Sequence, residues 1–134
     1  MTTATRRVVI AGNWKMHTTL AEATDLARGV TLELEDEPGV DVILIPPAPM
    51  LRPVVEATSG SGVMVGAQNL HPEVSGAFTG EISAPMLRSV GATHVLCGHS
   101  ERRHLFGESN EFVGEKVAAA HVHGVIPILC VGET

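Results

Sequence analysis

The sequence predicts an α/β fold built on a parallel sheet, and three observations carry that reading. Five short apolar runs of strand length recur along the chain. The segments between them place apolar residues at helical steps of three and four. Polar residues stand just after the first, fourth and fifth runs: Asn13 and Lys15, His99 and Glu101, and Glu133. Parallel α/β folds bind ligands at such carboxyl ends of strands. Strand and helix alternating in this way give a parallel sheet with right-handed crossovers. The pattern is met equally by a doubly wound sheet and by part of a closed eight-stranded barrel.

Taken in order, Arg7 to Ala11 reads as a strand covered on both faces, because its apolar run is continuous rather than alternating. Thr18 or Thr19 is placed to cap a helix carrying Leu20, Ala23, Ala27, Val30 and Leu34, which Pro38-Gly39 stops. Val42 to Ile45 is the second strand, ended by Pro46-Pro47. A short helix over Met50 to Ala57 follows, and Val63 to Ala67 is the third strand. From Gln68 to Ser83 no periodicity survives, and a loop of that length in a compact domain usually has a task. Ser83 caps a helix with Pro85 in its first turn and Gly91 at its end. Thr93 to Cys97 is the fourth strand. Gly98 lets the chain leave it, and Ser100 is expected to cap a short helix. Asn110 is expected to cap the next helix, ended by Gly124. Val125 to Val131 is the fifth strand.

Composition narrows the partners. With 44% hydrophobic residues and 18% charged, 134 residues suffice for one globular domain with a core. A net charge of -6 with 9 Lys and Arg argues against a nucleic-acid surface. No apolar run approaches the roughly 20 residues of a membrane span. The run after Arg6-Arg7 is too short for a signal peptide, so a cytoplasmic protein is expected. Cys97 and Cys130 each lie inside an apolar run, which predicts reduced thiols rather than a disulfide.

In a barrel the polar strand ends converge on one rim. Lys15 would supply fixed positive charge for an anionic substrate and a developing oxyanion, and Asn13 would orient lysine or substrate. His99, beside a helix N-terminus, feels the positive end of the dipole, which favours a neutral imidazole. Gly98-His99-Ser100-Glu101 also begins like the nucleophile elbow of a serine hydrolase, but Arg102 stands where that motif needs Gly. His94, His99, His104, His121 and His123 match no zinc spacing, so no metal is expected.

Five blocks then stand together: Ala11-Gly12-Asn13-Trp14-Lys15-Met16, Gly66-Ala67-Gln68-Asn69, Gly76 to Ser83, Cys97 to Arg103, and Cys130-Val131-Gly132-Glu133. In order and approximate spacing, from Arg7 to Thr134, they closely resemble the triosephosphate isomerases. The resemblance implies a (β/α)8 TIM barrel, with residues 1–134 as the N-terminal part of its single domain, four βα units plus the fifth strand. It implies interconversion of dihydroxyacetone phosphate and glyceraldehyde 3-phosphate through an enediolate, in glycolysis and gluconeogenesis, without a cofactor. In that family a histidine held neutral by a helix N-terminus is an established case of pKa tuning. By resemblance, Asn13 and Lys15 bind the small phosphorylated triose, His99 polarises its carbonyl and shuttles protons, and Glu101 pairs with Lys15. Arg102 resembles a structural arginine bonded near Glu108. The loop Gln68 to Glu81 implies a homodimer in the full-length protein, with Gln68, Phe78, Thr79 and Met16 at the contact and Thr79 approaching the partner's site.

Members of that family run to about 250 residues. The general-base glutamate, mobile lid and phosphate loops are therefore expected outside these 134 residues, and this polypeptide alone is expected to be inactive. The first and fifth strands should each lack a neighbour. The competing expectation is a non-catalytic fragment that only associates with a complementary half or another partner.

Overall fold

The computed structural model describes residues 5–35, 37 and 39–133. Strands β1 (Val8–Asn13), β2 (Val40–Ile45), β3 (Met64–Ala67), β4 (His94–Cys97) and β5 (Ile126–Leu129) form one sheet in the order β1-β2-β3-β4-β5, every pair parallel. This order decides between the two architectures. A doubly wound sheet reverses direction at a switch point, whereas here each strand adds beside its predecessor without a reversal.

The register supports the same conclusion. Met64 opens β3 opposite Ile43, well inside β2, and His94 opens β4 opposite Gly66, well inside β3. Pairing climbs at these two junctions, the stagger that tilted barrel staves require, while β1 with β2 and β4 with β5 pair flush from end to end. The sheet is a parallel half-barrel, part of a (β/α)8 wall.

Helices cover one face. They are α1 (Leu20–Glu33), α2 (Leu51–Ala57, led in by a 3-10 turn at Ala48–Met50), α3 (Ala84–Val90), α4 (Ser100–His104) and α5 (Asn110–Val122). Their core joins Ala23, Ala27, Leu51, Val54, Leu87, Val113 and Ala120 to Leu44, Val65, Val95 and Cys97 from the sheet. The alternate strand residues Ile43, Ile45 and Leu96 form a second cluster, with Met64, Ile128 and Cys130 packed against it. These are the inward layers of a barrel wall. Gly66 sits among them, where an added Cβ would lie 3.3 Å from both Ile43 Cγ2 and His94 Cβ.

Several local expectations are corrected. β1 is not covered on both faces: Val8, Val9 and Ile10 are 56%, 52% and 57% exposed, because β1 is an edge strand paired only with β2. The cap of α4 is His99, not Ser100; the imidazole Nδ1 accepts from Glu101 N at 3.2 Å and Ser100 becomes the first helical residue. The cap of α5 is Ser109, whose hydroxyl accepts from Phe112 N at 3.1 Å, and Asn110 instead accepts from Arg103 Nη1 at 2.6 Å. Helix α1 starts after Thr19, where the Glu22 carboxylate accepts from both Thr19 N and its hydroxyl. The Pro38 part of the expected stop, and Thr134, lie outside the described residues. Ser83 and Gly91 bound α3 as expected, and residues 68–83 hold no helix or strand.

Candidate active site

The carboxyl ends of β1, β3 and β4 meet at a cleft of about 260 Å³ lined by Asn13, Lys15, Gln68, His99, Glu101 and Arg102, among others. Its centre is Lys15, the second residue past β1. Lys15 has φ 59°, left-handed space that a residue with a Cβ enters at a cost of roughly 1–3 kcal/mol. Side chains from two strand ends hold it there. Asn13 Oδ1 accepts from Lys15 N at 2.9 Å, and Gln68 Nε2 donates to Lys15 O at 2.7 Å and Ile45 O at 3.2 Å. Trp14 N also donates to Ile45 O, so the turn after β1 is tied to the end of β2.

Held in this way, the Lys15 ammonium reaches across the cleft. Its Nζ lies 2.9 Å from Glu101 Oε1 and 3.0 Å from His99 Nε2. The bond donated by Lys15, acting against desolvation, holds the Glu101 carboxyl below its ordinary value. In the capping bond Nδ1 accepts from a backbone N–H, which leaves the hydrogen of a neutral ring on Nε2. The 3.0 Å contact with the Lys15 ammonium asks Nε2 to accept, so one neutral tautomer does not meet both bonds. An acceptor oxygen entering beside Lys15 Nζ and His99 Nε2 would take a bond from each and relieve that competition, as an oxyanion does.

Gly98 makes the exit from β4 possible. It has φ 72°, and a Cβ there would lie 2.6 Å from Val113 Cγ1. Arg103 bolts the neighbouring strand ends together, donating to Gly98 O at 2.7 Å, Asn110 Oδ1 at 2.6 Å and Cys130 O at 3.2 Å. A second hollow of about 640 Å³ opens on the other side of His99, lined also by His104, Cys130 and Glu133. Glu133 lines this hollow and is not among the residues lining the cleft around Lys15.

Of the remaining candidates, Met16 and Gln68 also line the cleft, Met16 at 93% exposure and Gln68 turned to the Lys15 backbone, while Phe78 and Thr79 are exposed on the loop that follows β3. The loop that carries Phe78 is closed on itself by His71 N donating to Ile82 O and by the His71 ring stacked on Phe78 at 4.0 Å. Both cysteines are free thiols; burial pushes Cys97 up to about 11 and raises Cys130 as well. His94 is buried and its pKa lowered by desolvation, with Nδ1 2.7 Å from Thr93 Oγ1, so it is part of the strand core. Among the described residues no cluster of three His, Cys, Asp or Glu could hold a metal ion, and no helix is long and apolar enough to cross a membrane.

Sequence reasoning missed one residue of the cluster behind the cleft. Lys116 on α5 is 1% exposed and donates to Asn69 Oδ1 at 2.7 Å and Glu108 Oε2 at 2.6 Å. Glu108 also accepts from Arg102 Nε at 2.7 Å, the arginine pairing expected from the sequence. Burial opposes ionisation of Glu108, but the bonds from Lys116 and Arg102 prevail and its pKa is lowered. The one sequence signal for Lys116 was its position between Val113 and Ala120, on the buried stripe of α5.

Comparison with known proteins bears on this geometry. The family model described as Triosephosphate isomerase matches residues 8–134. The triosephosphate isomerase of Carboxydothermus hydrogenoformans is 51% identical over 129 residues, covering 96% of this chain and 51% of that protein. That of Synechococcus sp. (strain JA-3-3Ab) is 53% identical over 134 residues, covering 96% and 52%. That of Moorella thermoacetica is 50% identical over 131 residues, covering 96% and 51%. The chain spans about half the length of the curated relatives it matches.

Proposed function

From membership of the triosephosphate isomerase family, to which this chain belongs, we propose that these residues supply the electrophilic half of a site that interconverts dihydroxyacetone phosphate and glyceraldehyde 3-phosphate. The observation that carries the reading is the approach of Lys15 Nζ and His99 Nε2 to within 3.0 Å of each other in the cleft. When a base removes the proton from C1 of the ketose, the electron pair moves toward C2 and negative charge gathers on its oxygen. The Lys15 ammonium and the His99 Nε2–H are placed to hold that charge, and His99 to pass a proton between the two oxygens of the enediolate. Asn13 keeps the Lys15 backbone in place, and Glu101 fixes the far side of its ammonium.

The step also needs a base for a carbon-bound proton. Glu101 is the carboxylate lining the cleft, and it is bonded to Lys15. We assign the base to a carboxylate beyond these 134 residues, together with the lid and the phosphate loops. The polypeptide alone is then inactive. The reaction is a proton transfer and requires no cofactor, and a role in glycolysis and gluconeogenesis carries with it a cytoplasmic location. In the full-length protein Met16, Gln68, Phe78 and Thr79 belong to a homodimer contact, a reading supported by the exposed Met16 and Phe78.

The test is complementation. The 134-residue chain is mixed with a separately produced polypeptide matching the rest of a relative, and isomerisation is followed. We expect no turnover from either part, turnover from the mixture, and a loss of about 10²–10⁴-fold with His99→Gln. Turnover by the 134-residue chain alone would refute the assignment of the base. The exposed strands β1 and β5 support a second reading, association without catalysis; a mixture that forms a complex yet stays inactive would favour it.

A further inference from the structure

The bonds around Lys15 close into a ring that passes through the buried core. Gln68 holds the Lys15 carbonyl, and Glu101 holds its ammonium. The next residue after each, Asn69 and Arg102, also lines the cleft but carries its polar end to the buried pair behind it. There Lys116 Nζ bonds Asn69, and Glu108 Oε2 joins Lys116 to Arg102. Two adjacent residues after β3 and two at the start of α4 thus each have one member on Lys15 and one on the Lys116–Glu108 pair.

From this arrangement we propose that the Lys116–Glu108 pair is a positioning device for Lys15, fixing from behind the two segments that grip its backbone and its ammonium. The proposal rests on the reading of Lys15 as the substrate-binding cation. Neither residue reaches the cleft: Lys116 is 1% exposed and the Glu108 side chain 4%. Their burial is an expensive way to gain stability. Desolvating an ion pair costs several kcal/mol per ion, and apolar replacements of similar volume often serve as well or better. What the pair gives that an apolar contact does not is direction, since each bond fixes an atom of Asn69 or Arg102 at a set distance. Lys15 needs that direction because its backbone sits in strained left-handed space and its side chain must span from β1 to β4.

The readout is the carboxyl titration of Glu101, followed by carbon-13 NMR on the 134-residue chain, because that carboxyl is held down by its bond from Lys15. In Lys116→Met we expect the Glu101 midpoint to move up to the ordinary carboxylate value while the far-UV spectrum still shows the helices. Asn69→Ala, which leaves the ion pair intact and keeps the chain folded if Lys116→Met does not, should move it part of the way. Arg52→Ala, which removes an exposed pair on α2, should leave it where it is. A Glu101 midpoint unmoved in folded Lys116→Met, or in Asn69→Ala where the first variant is unfolded, would overturn the proposal. A purely structural pair would lower the unfolding midpoint without touching this titration. Because turnover is not measured, failure of the isomerase reading in the complementation assay would be seen separately.

Discussion

At Gly98 a single hydrogen in place of a methyl decides whether β4 can hand the chain to His99. The residue has φ 72°, and its Cβ would strike Val113 at 2.6 Å, so an alanine there suffers both backbone strain and collision. Gly107 offers the control, with φ 69° and open space around the site of a Cβ. Gly107→Ala should cost about 1 kcal/mol from the backbone alone, and Gly98→Ala about 3 kcal/mol, measured as the difference in urea unfolding free energy. Equal losses would show that Val113 yields freely. Glu108 is a second decisive residue. Removing its charge in Glu108→Gln leaves the Lys116 ammonium buried without a counter-charge, with neutral oxygens and the Phe112 ring as its partners, and should lower stability by about 3 kcal/mol at neutral pH. Its folded pKa is lowered, so its contribution is complete above the unfolded carboxylate value of about 4.3 and is lost as pH falls through the folded value. Acid titration of stability should therefore be less steep in Glu108→Gln than in the parent below about pH 4.3.

At the scale of elements, what the sequence disclosed and what it hid follow from the kind of signal each element carries. β2, β3 and β4 lie under apolar runs bounded by Pro, Gly or polar residues, and they formed close to where those runs lie. Helix starts were less legible, because Ser109 and Asn110 are both good caps and stand side by side. Geometry separates them: the Ser109 hydroxyl takes Phe112 N, which frees Asn110 for Arg103. Ser109→Ala should accordingly cost about 1 kcal/mol in equilibrium unfolding, the usual worth of a cap. The α4 start is less legible because imidazole is an uncommon cap, and the bond that caps the helix also engages His99 Nδ1. Lys116 was hidden for a different reason. A charged side chain is expected on the solvated face unless its partners are known, and Asn69 and Glu108 come to it from 47 and 8 residues away.

The whole molecule shows how far local pattern reaches. The alternation of strands and helices left barrel and doubly wound sheet equally open, and the sequential strand order settled the matter, a property of pairing between distant segments. That order also leaves β1 and β5 at the two edges, with Val8, Val9 and Ile10 on one and Ile126 and Leu129 on the other, each more than half exposed. Parallel edges of this kind offer unpaired N–H and C=O groups beside apolar side chains, and they pair with whatever strand is available. Two copies of this sheet would bring ten strands where the barrel closes with eight, so pairing between copies is not self-limiting. Sedimentation velocity on the 134-residue chain should therefore show weight-average mass rising with concentration without a plateau at dimer. Val9→Lys places a charge on the β1 edge at a half-exposed position and should shift the distribution toward monomer. If the parent chain instead sediments as one concentration-independent monomer, the exposed edges are not the dominant attraction, and the association reading of this half-barrel loses its physical basis.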